Sequence, residues 1–250
     1  TKPAEAEERI RTELLAKLKG LWRRDVVPLR RGAGTTLPVM RGATGPARVD
    51  VVAIGASTGG PNALVDVLTG LGPRFATPVL IVQHMPPVFT RLLAERLAQR
   101  TGMRAAEARD GEELLPGGVW LAPGDHHMVV ARHGTRLVIR LHQEPPENYC
   151  RPAVDALFRS LAPIFGPRAL AVVLTGMGQD GYRGCREIVS AGGQVLAQDQ
   201  ASSVVWGMPG QVITAGLADE VAPLSEIAAC IIRRVKAGAE RTSARGASGL

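Results

Sequence analysis

From residue 49 onward, short apolar runs alternate with amphipathic stretches. Val49 to Ile54 is an unbroken, mostly β-branched run and reads as a buried strand. "PNALVDVLTGL" follows with helical spacing, and its Pro61 falls near the first turn, where proline is tolerated. "PVLIVQH" reads as a second strand. "PVFTRLLAERLAQR" reads as a helix with Phe89, Leu92, Leu93 and Leu97 on one apolar face. Over residues 117–141 the pattern changes. "GVWLAP", "HMVVAR" and "RLVIRL" are short strands separated by turns, which predicts an antiparallel excursion including a hairpin. The alternation then resumes with a helix in "PAVDALFRSLAPIF", a strand in "RALAVVLTG", a helix in "GYRGCREIVSAG" and a strand in "GQVLAQD". A mixed segment, a short strand in "ADEVAP" and a last helix from Leu224 to Lys236 complete the series.

Buried strands alternating with amphipathic helices indicate a three-layer α/β/α domain around a mainly parallel sheet, with an antiparallel hairpin excursion. Ahead of it, residues 4–22 carry helical spacing, and "RRDVVPLRRGAGTTLPVMRGATGPAR" has none. The expected organisation is therefore a helical and irregular linker over 1–48, a folded domain over 49–237 and a flexible polar tail over 238–250.

Composition narrows the function classes. No apolar run approaches the ~18 residues of a membrane span, and the polar, acidic start "TKPAEAEERI" is no signal peptide. Cys150, Cys185 and Cys230 are odd in number and far apart, which argues against a disulfide framework or a zinc site and for a reducing, cytoplasmic setting. The formal charge of +7 invites a nucleic-acid reading, but the excess lies mostly towards the two ends and no basic helix is interleaved with aromatics. A solvated basic surface, or steering towards an acidic protein partner, fits better.

In such a sheet, sites form at the carboxyl ends of the strands, so the loops there hold the candidate chemistry. The first is "GASTGGP". As a dinucleotide turn it puts Ser57 where the backbone needs glycine to approach a pyrophosphate. As a phosphate loop it has Pro61 and Asn62 where Lys and Ser or Thr belong. It does match G-x-S-x-G, a tight turn displaying a serine nucleophile. The next strand ends at His84, and a later one runs into "TGMGQDG" with Asp180. Singly, His84 reads equally well as a satisfied structural histidine and Asp180 as a helix cap. Together the three supply a nucleophile, a base and an orienting acid. Their order along the chain, Ser, His, Asp, is not that of ordinary α/β-hydrolases. His126 and His127 lack the i,i+4 spacing of a metal pair and have no nearby partners, so no metal is expected; one of them could stand at the site rim.

"IGASTGGP", "VQHMPP", "RPAVDALFRSLA" and "VVLTGMGQDG", in this order, resemble the catalytic domain of the chemotaxis protein-glutamate methylesterases (CheB type), from about Val49 to Lys236. The resemblance implies hydrolysis of methyl esters on receptor glutamates by Ser57, His84 and Asp180, without a cofactor, and leaves glutamine deamidation open. It implies a backbone N–H from Met177 in the oxyanion hole, to which Thr58 could add a second. Gly59 and Gly60 would keep the cleft open for substrate. Arg151 would help to position substrate, although an ordinary surface ion pair explains it equally well. The implied partners are the cytoplasmic helices of methylated chemoreceptors. Family members usually carry a receiver domain that blocks the site until phosphorylated. Residues 1–48 are too short and irregular for one and look like its linker. The expectation is a catalytic fragment, active without a phospho-donor, or a relative regulated otherwise.

Overall fold

The computed structural model describes residues 48–247. The helix expected over 4–22, and all but the last residue of the expected linker, lie outside them. The described chain runs β1 (Val51–Ala56), α1 (Gly60–Leu71), β2 (Val79–Gln83), α2 (Phe89–Thr101), β3 (Arg104–Glu107), β4 (Gly118–Leu121), β5 (His127–His133) and β6 (Arg136–His142). It continues through α3 (Val154–Phe165), β7 (Ala169–Val173), α4 (Tyr182–Ser190), β8 (Gln194–Gln198), α5 (Met208–Thr214), β9 (Glu220–Ala222) and α6 (Leu224–Ala247).

Seven strands form one sheet in the order β3-β4-β2-β1-β7-β8-β9, every pair parallel. Both faces are covered, so β1 needs apolar residues at every position and has no polar alternation. Val52 and Ile54 pack on one side with Leu64 and Leu68 of α1, Leu97 of α2 and Ile227 of α6. Val51 and Ala53 pack on the other with Leu157 and Phe158 of α3, Ile188 of α4 and Val212 of α5. The three-layer α/β/α reading holds, and β5 and β6 form the separate antiparallel hairpin, whose Met128, Val130 and Ile139 join the second core.

Four elements depart from the sequence reading. β4 is not part of the antiparallel excursion; it lies in the main sheet between β3 and β2. Its Trp120 faces one core and its Val119 and Leu121 the other, and an apolar run reads alike in either strand direction. β3 is a short edge strand whose "RAAE" carries no apolar signal. α5 sits in the segment left as mixed. α6 extends to Ala247, past Lys236 into the expected tail.

α2 is also rotated from its expected face. Leu93 and Leu97 are buried with Thr90 and Ala94, while Phe89 is 58% and Leu92 49% exposed. Thr90 can occupy the buried stripe because its hydroxyl donates to Glu107 at 2.6 Å and accepts the Gly124 N–H at 3.0 Å.

The topology fixes where a site can form. From β1 the chain crosses to β2 on one side; from the neighbouring β7 it crosses to β8 on the other. The loops leaving β1 and β7 therefore run to opposite faces from a shared switch point at the strands' carboxyl ends, the place where sites form in such sheets. Residues 57–60, 84–88 and 174–181 line that end of the sheet.

Candidate active site

Ser57 follows directly on β1. Its N–H donates to the Thr175 carbonyl at 3.0 Å, and its own carbonyl accepts the Gly60 N–H at 2.9 Å, which closes the turn into α1. Gly59 has φ +84°, a left-handed conformation that side chains rarely adopt, and a Cβ there would lie 2.7 Å from Cβ of Val204. Gly176 lets the loop after β7 approach, since a Cβ would lie 2.8 Å from Cβ of Ser57. The Thr175 hydroxyl donates to the Thr58 carbonyl at 2.9 Å and accepts the Val205 N–H at 3.0 Å, stitching three loops together.

His84 follows β2, with its N–H on the Ala56 carbonyl at 3.1 Å. Its Nε2 lies 2.7 Å from Oδ2 of Asp180, and the side chains are only 4% and 2% exposed. An ionised carboxylate only accepts, so Nε2 carries a hydrogen. Nδ1 meets the Cys150 sulfur at 3.5 Å. The Ser57 hydroxyl makes no hydrogen bond to His84 or to any other described residue. The structure thus joins two of the three predicted residues directly and brings the third to the neighbouring strand end.

Asp180 does not cap the helix that follows it. Gly181 occupies that N-cap, without a side-chain bond. The Asp180 carboxylate instead caps α3, accepting the Val154 N–H at 2.6 Å and the Asp155 N–H at 3.0 Å, where the helix dipole also favours an anion. Gly181 N–H and the Asn148 amide, each at 3.0 Å, complete five donors.

Protonation follows from these contacts. Burial alone would push the Asp180 carboxyl up, but the His84 hydrogen bond and charge, with the α3 N–H groups, hold it below the usual range. Burial opposes charging of His84, yet the Cys150 sulfur and the Asp180 carboxylate outweigh it and push the imidazole up to about 10. Asp155, buried beside Asp180, is pushed up to about 6 by burial and by its neighbour's charge.

The Thr58 and Met177 N–H groups have no partner among the described residues. Gly60 lies at the start of α1, where a Cβ would meet the Gln83 side chain. Arg151 points elsewhere: its guanidinium reaches Asp125 at 2.6 Å and the carbonyls of Gln143 and Glu144 at 3.0 and 3.1 Å, tying the hairpin exit to the loop after β4. His127 is buried, accepting the Ala153 N–H and donating to the Pro145 carbonyl, and His126 meets the Gly124 carbonyl. Among the described residues no cluster of three His, Cys, Asp or Glu is arranged to hold a metal.

Sequence reasoning missed four residues of this site. Gln83 bridges the turns, donating to the carbonyls of Ser57 at 2.9 Å and His84 at 3.2 Å; a polar residue ending an apolar strand was its only signal. Asp155 is an acid inside an apolar helical run, which could have flagged it. Asn148 and Cys150 come from an irregular loop with no pattern to read.

Known proteins resemble this chain. The CheB methylesterase family matches over residues 52–231. A protein-glutamate methylesterase/protein-glutamine glutaminase of Trichodesmium erythraeum is 46% identical over 245 residues, covering 94% of this chain and 70% of that protein. One of Azospirillum brasilense is 54% identical over 187 residues, 74% of this chain but only 48% of its own length. The chain thus spans between about half and 70% of these relatives. The crystal structure of the Thermotoga maritima CheB methylesterase catalytic domain superposes with a TM-score of 0.72 at 41% identity, over 75% of this chain and 99% of that domain.

Proposed function

Because the chain belongs to the CheB methylesterase family, we propose that it is a protein-glutamate methylesterase acting through Ser57, His84 and Asp180. The 2.7 Å contact between His84 and Asp180 at the strand ends beside the Ser57 turn is the observation that carries the reading. In this reaction Ser57 Oγ attacks the ester carbonyl as its proton passes to Nδ1 of His84 in the ring's neutral form, the form that the raised titration of His84 makes scarce at neutral pH. The free N–H groups of Thr58 and Met177 receive the oxyanion, each such donor lowering the barrier by roughly 3 kcal/mol. Collapse of the tetrahedral species expels methanol, which takes the proton from His84. Water then enters, gives a proton to His84 and attacks the acyl carbon; as the acyl–Oγ bond breaks, Ser57 takes that proton back from His84 and the free glutamate leaves. For the first step Nδ1 must exchange the Cys150 sulfur for the Ser57 hydroxyl, a tightening expected when substrate binds.

The substrate class is a glutamate methyl ester on the cytoplasmic helices of a chemoreceptor, and glutamine deamidation uses the same acyl chemistry with ammonia leaving. The relatives of Trichodesmium erythraeum and Azospirillum brasilense are each a protein-glutamate methylesterase/protein-glutamine glutaminase, which supports both activities. No helix among the described residues is long and apolar enough to cross a membrane. The Arg151 contacts favour a structural role over substrate positioning.

One contact favours a second reading: Cys150, not Ser57, lies against the His84 base and could itself be the nucleophile. Methanol release from methylated receptor membranes separates the two. Ser57→Ala should lose at least about a thousandfold in kcat, and Cys150→Ala should retain turnover. Full activity in Ser57→Ala with loss in Cys150→Ala would reverse the assignment.

A further inference from the structure

Asn148 takes no part in the steps above, yet it is the link between two buried carboxylates. Its Nδ2 donates to Oδ2 of Asp155 at 2.9 Å and to Oδ1 of Asp180 at 3.0 Å. An amide nitrogen carries two hydrogens, and here each is used on one carboxylate. Asp155 and Asp180 are 0% and 2% exposed, so the loss of a donor from either is costly. The second Asp155 oxygen already accepts the Gly184 N–H at 2.7 Å.

The loop holds Asn148 in place at a cost. Asn148 and Tyr149 both have positive φ, +50° and +63°, which asparagine tolerates better than most residues. Glu147 and Cys150 close the turn through paired backbone hydrogen bonds of 3.1 and 2.8 Å. Glu147 is further anchored by Arg159 of α3.

We propose that Asn148 is a positioning residue that sets the proton affinity of His84 by bridging the Asp155 and Asp180 carboxylates. Each donor on Asp180 shares the charge that also holds the His84 imidazolium. With the amide gone, Asp180 binds His84 more strongly, and the ring keeps its proton to higher pH. The other ionisable groups facing this pair are Cys150 and Glu147 on the same loop, Arg159 on α3 and the buried Cys185 on α4.

The test is an NMR titration of the His84 ring in the 250-residue chain, wild type against Asn148→Gly and Asn148→Asp. Glycine accepts the positive φ, so that variant removes the amide without added strain. Aspartate keeps the shape, removes the donors and adds a third carboxylate, and serves if the glycine variant does not fold. The His84 titration should move upward by up to about one pH unit in Asn148→Gly and further in Asn148→Asp. The acid limb of kcat for methanol release should move with it, with kcat at neutral pH down roughly tenfold and KM unchanged. A purely structural role would lower activity at every pH and leave the titration in place. An unmoved His84 titration in both variants overturns the inference, whether or not activity falls. The kinetic arm rests on the esterase reading: no methanol release from the wild type, with the titration shift present, would defeat that reading and leave this one standing.

Discussion

At the scale of single residues, His84 is unusual in having both ring nitrogens occupied before any substrate arrives. Nε2 is fixed by Asp180, and Nδ1, the nitrogen that must accept a proton, faces the Cys150 sulfur. Cys185 and Cys230 are 0% and 2% exposed, so a thiol reagent has Cys150 as its accessible target among the described cysteines. N-ethylmaleimide should therefore place a bulky group against Nδ1 and abolish methanol release. Cys150→Ala should be immune to the reagent. Inactivation of Cys150→Ala at the wild-type rate would show that the block lies elsewhere.

Among the elements, the contact of α3 with α4 couples packing to chemistry. Gly184 on α4 lies so close to α3 that a Cβ would stand 2.5 Å from Cβ of Phe158 and 3.2 Å from Cα of Asp155, and its N–H holds Asp155. Gly184→Val must push the helices apart. Overpacking of this kind costs typically 1–3 kcal/mol, measurable by urea denaturation. Because the α3 N-terminus supplies two of the donors on Asp180, kcat should fall as well, even where the variant is fully folded. A variant that loses stability but keeps kcat would show that α3 can shift without disturbing Asp180.

For the molecule as a whole, the ion pair of His84 and Asp180 ties stability to pH. The folded-state value of His84 lies above its ordinary 6.5, at about 10. Its contribution is therefore fully present below about 6.5 and is lost as pH rises through the folded value. The stability difference between wild type and His84→Gln should be largest near pH 6 and shrink towards pH 10. Denaturant melts at both ends of that range would measure it; a difference that grows with pH would mean that the ring is neutral in the folded protein.

The sequence by itself determined the α/β class, most strands and helices, and the three strand ends that carry Ser57, His84 and Asp180. Periodicity records which faces are buried, and small residues at strand ends record where the chain must turn tightly. Only the tertiary structure decided that β4 joins the parallel sheet, that Leu93 rather than Phe89 faces the core, and that Asp180 caps α3 instead of its own helix. It alone brought Asn148, Cys150 and Asp155 to His84 and Asp180, although Asn148 and Asp180 are 32 residues apart. Burial leaves a local pattern in the chain. The pairing of polar groups across loops leaves none, because it depends on which strand ends the sheet order sets side by side.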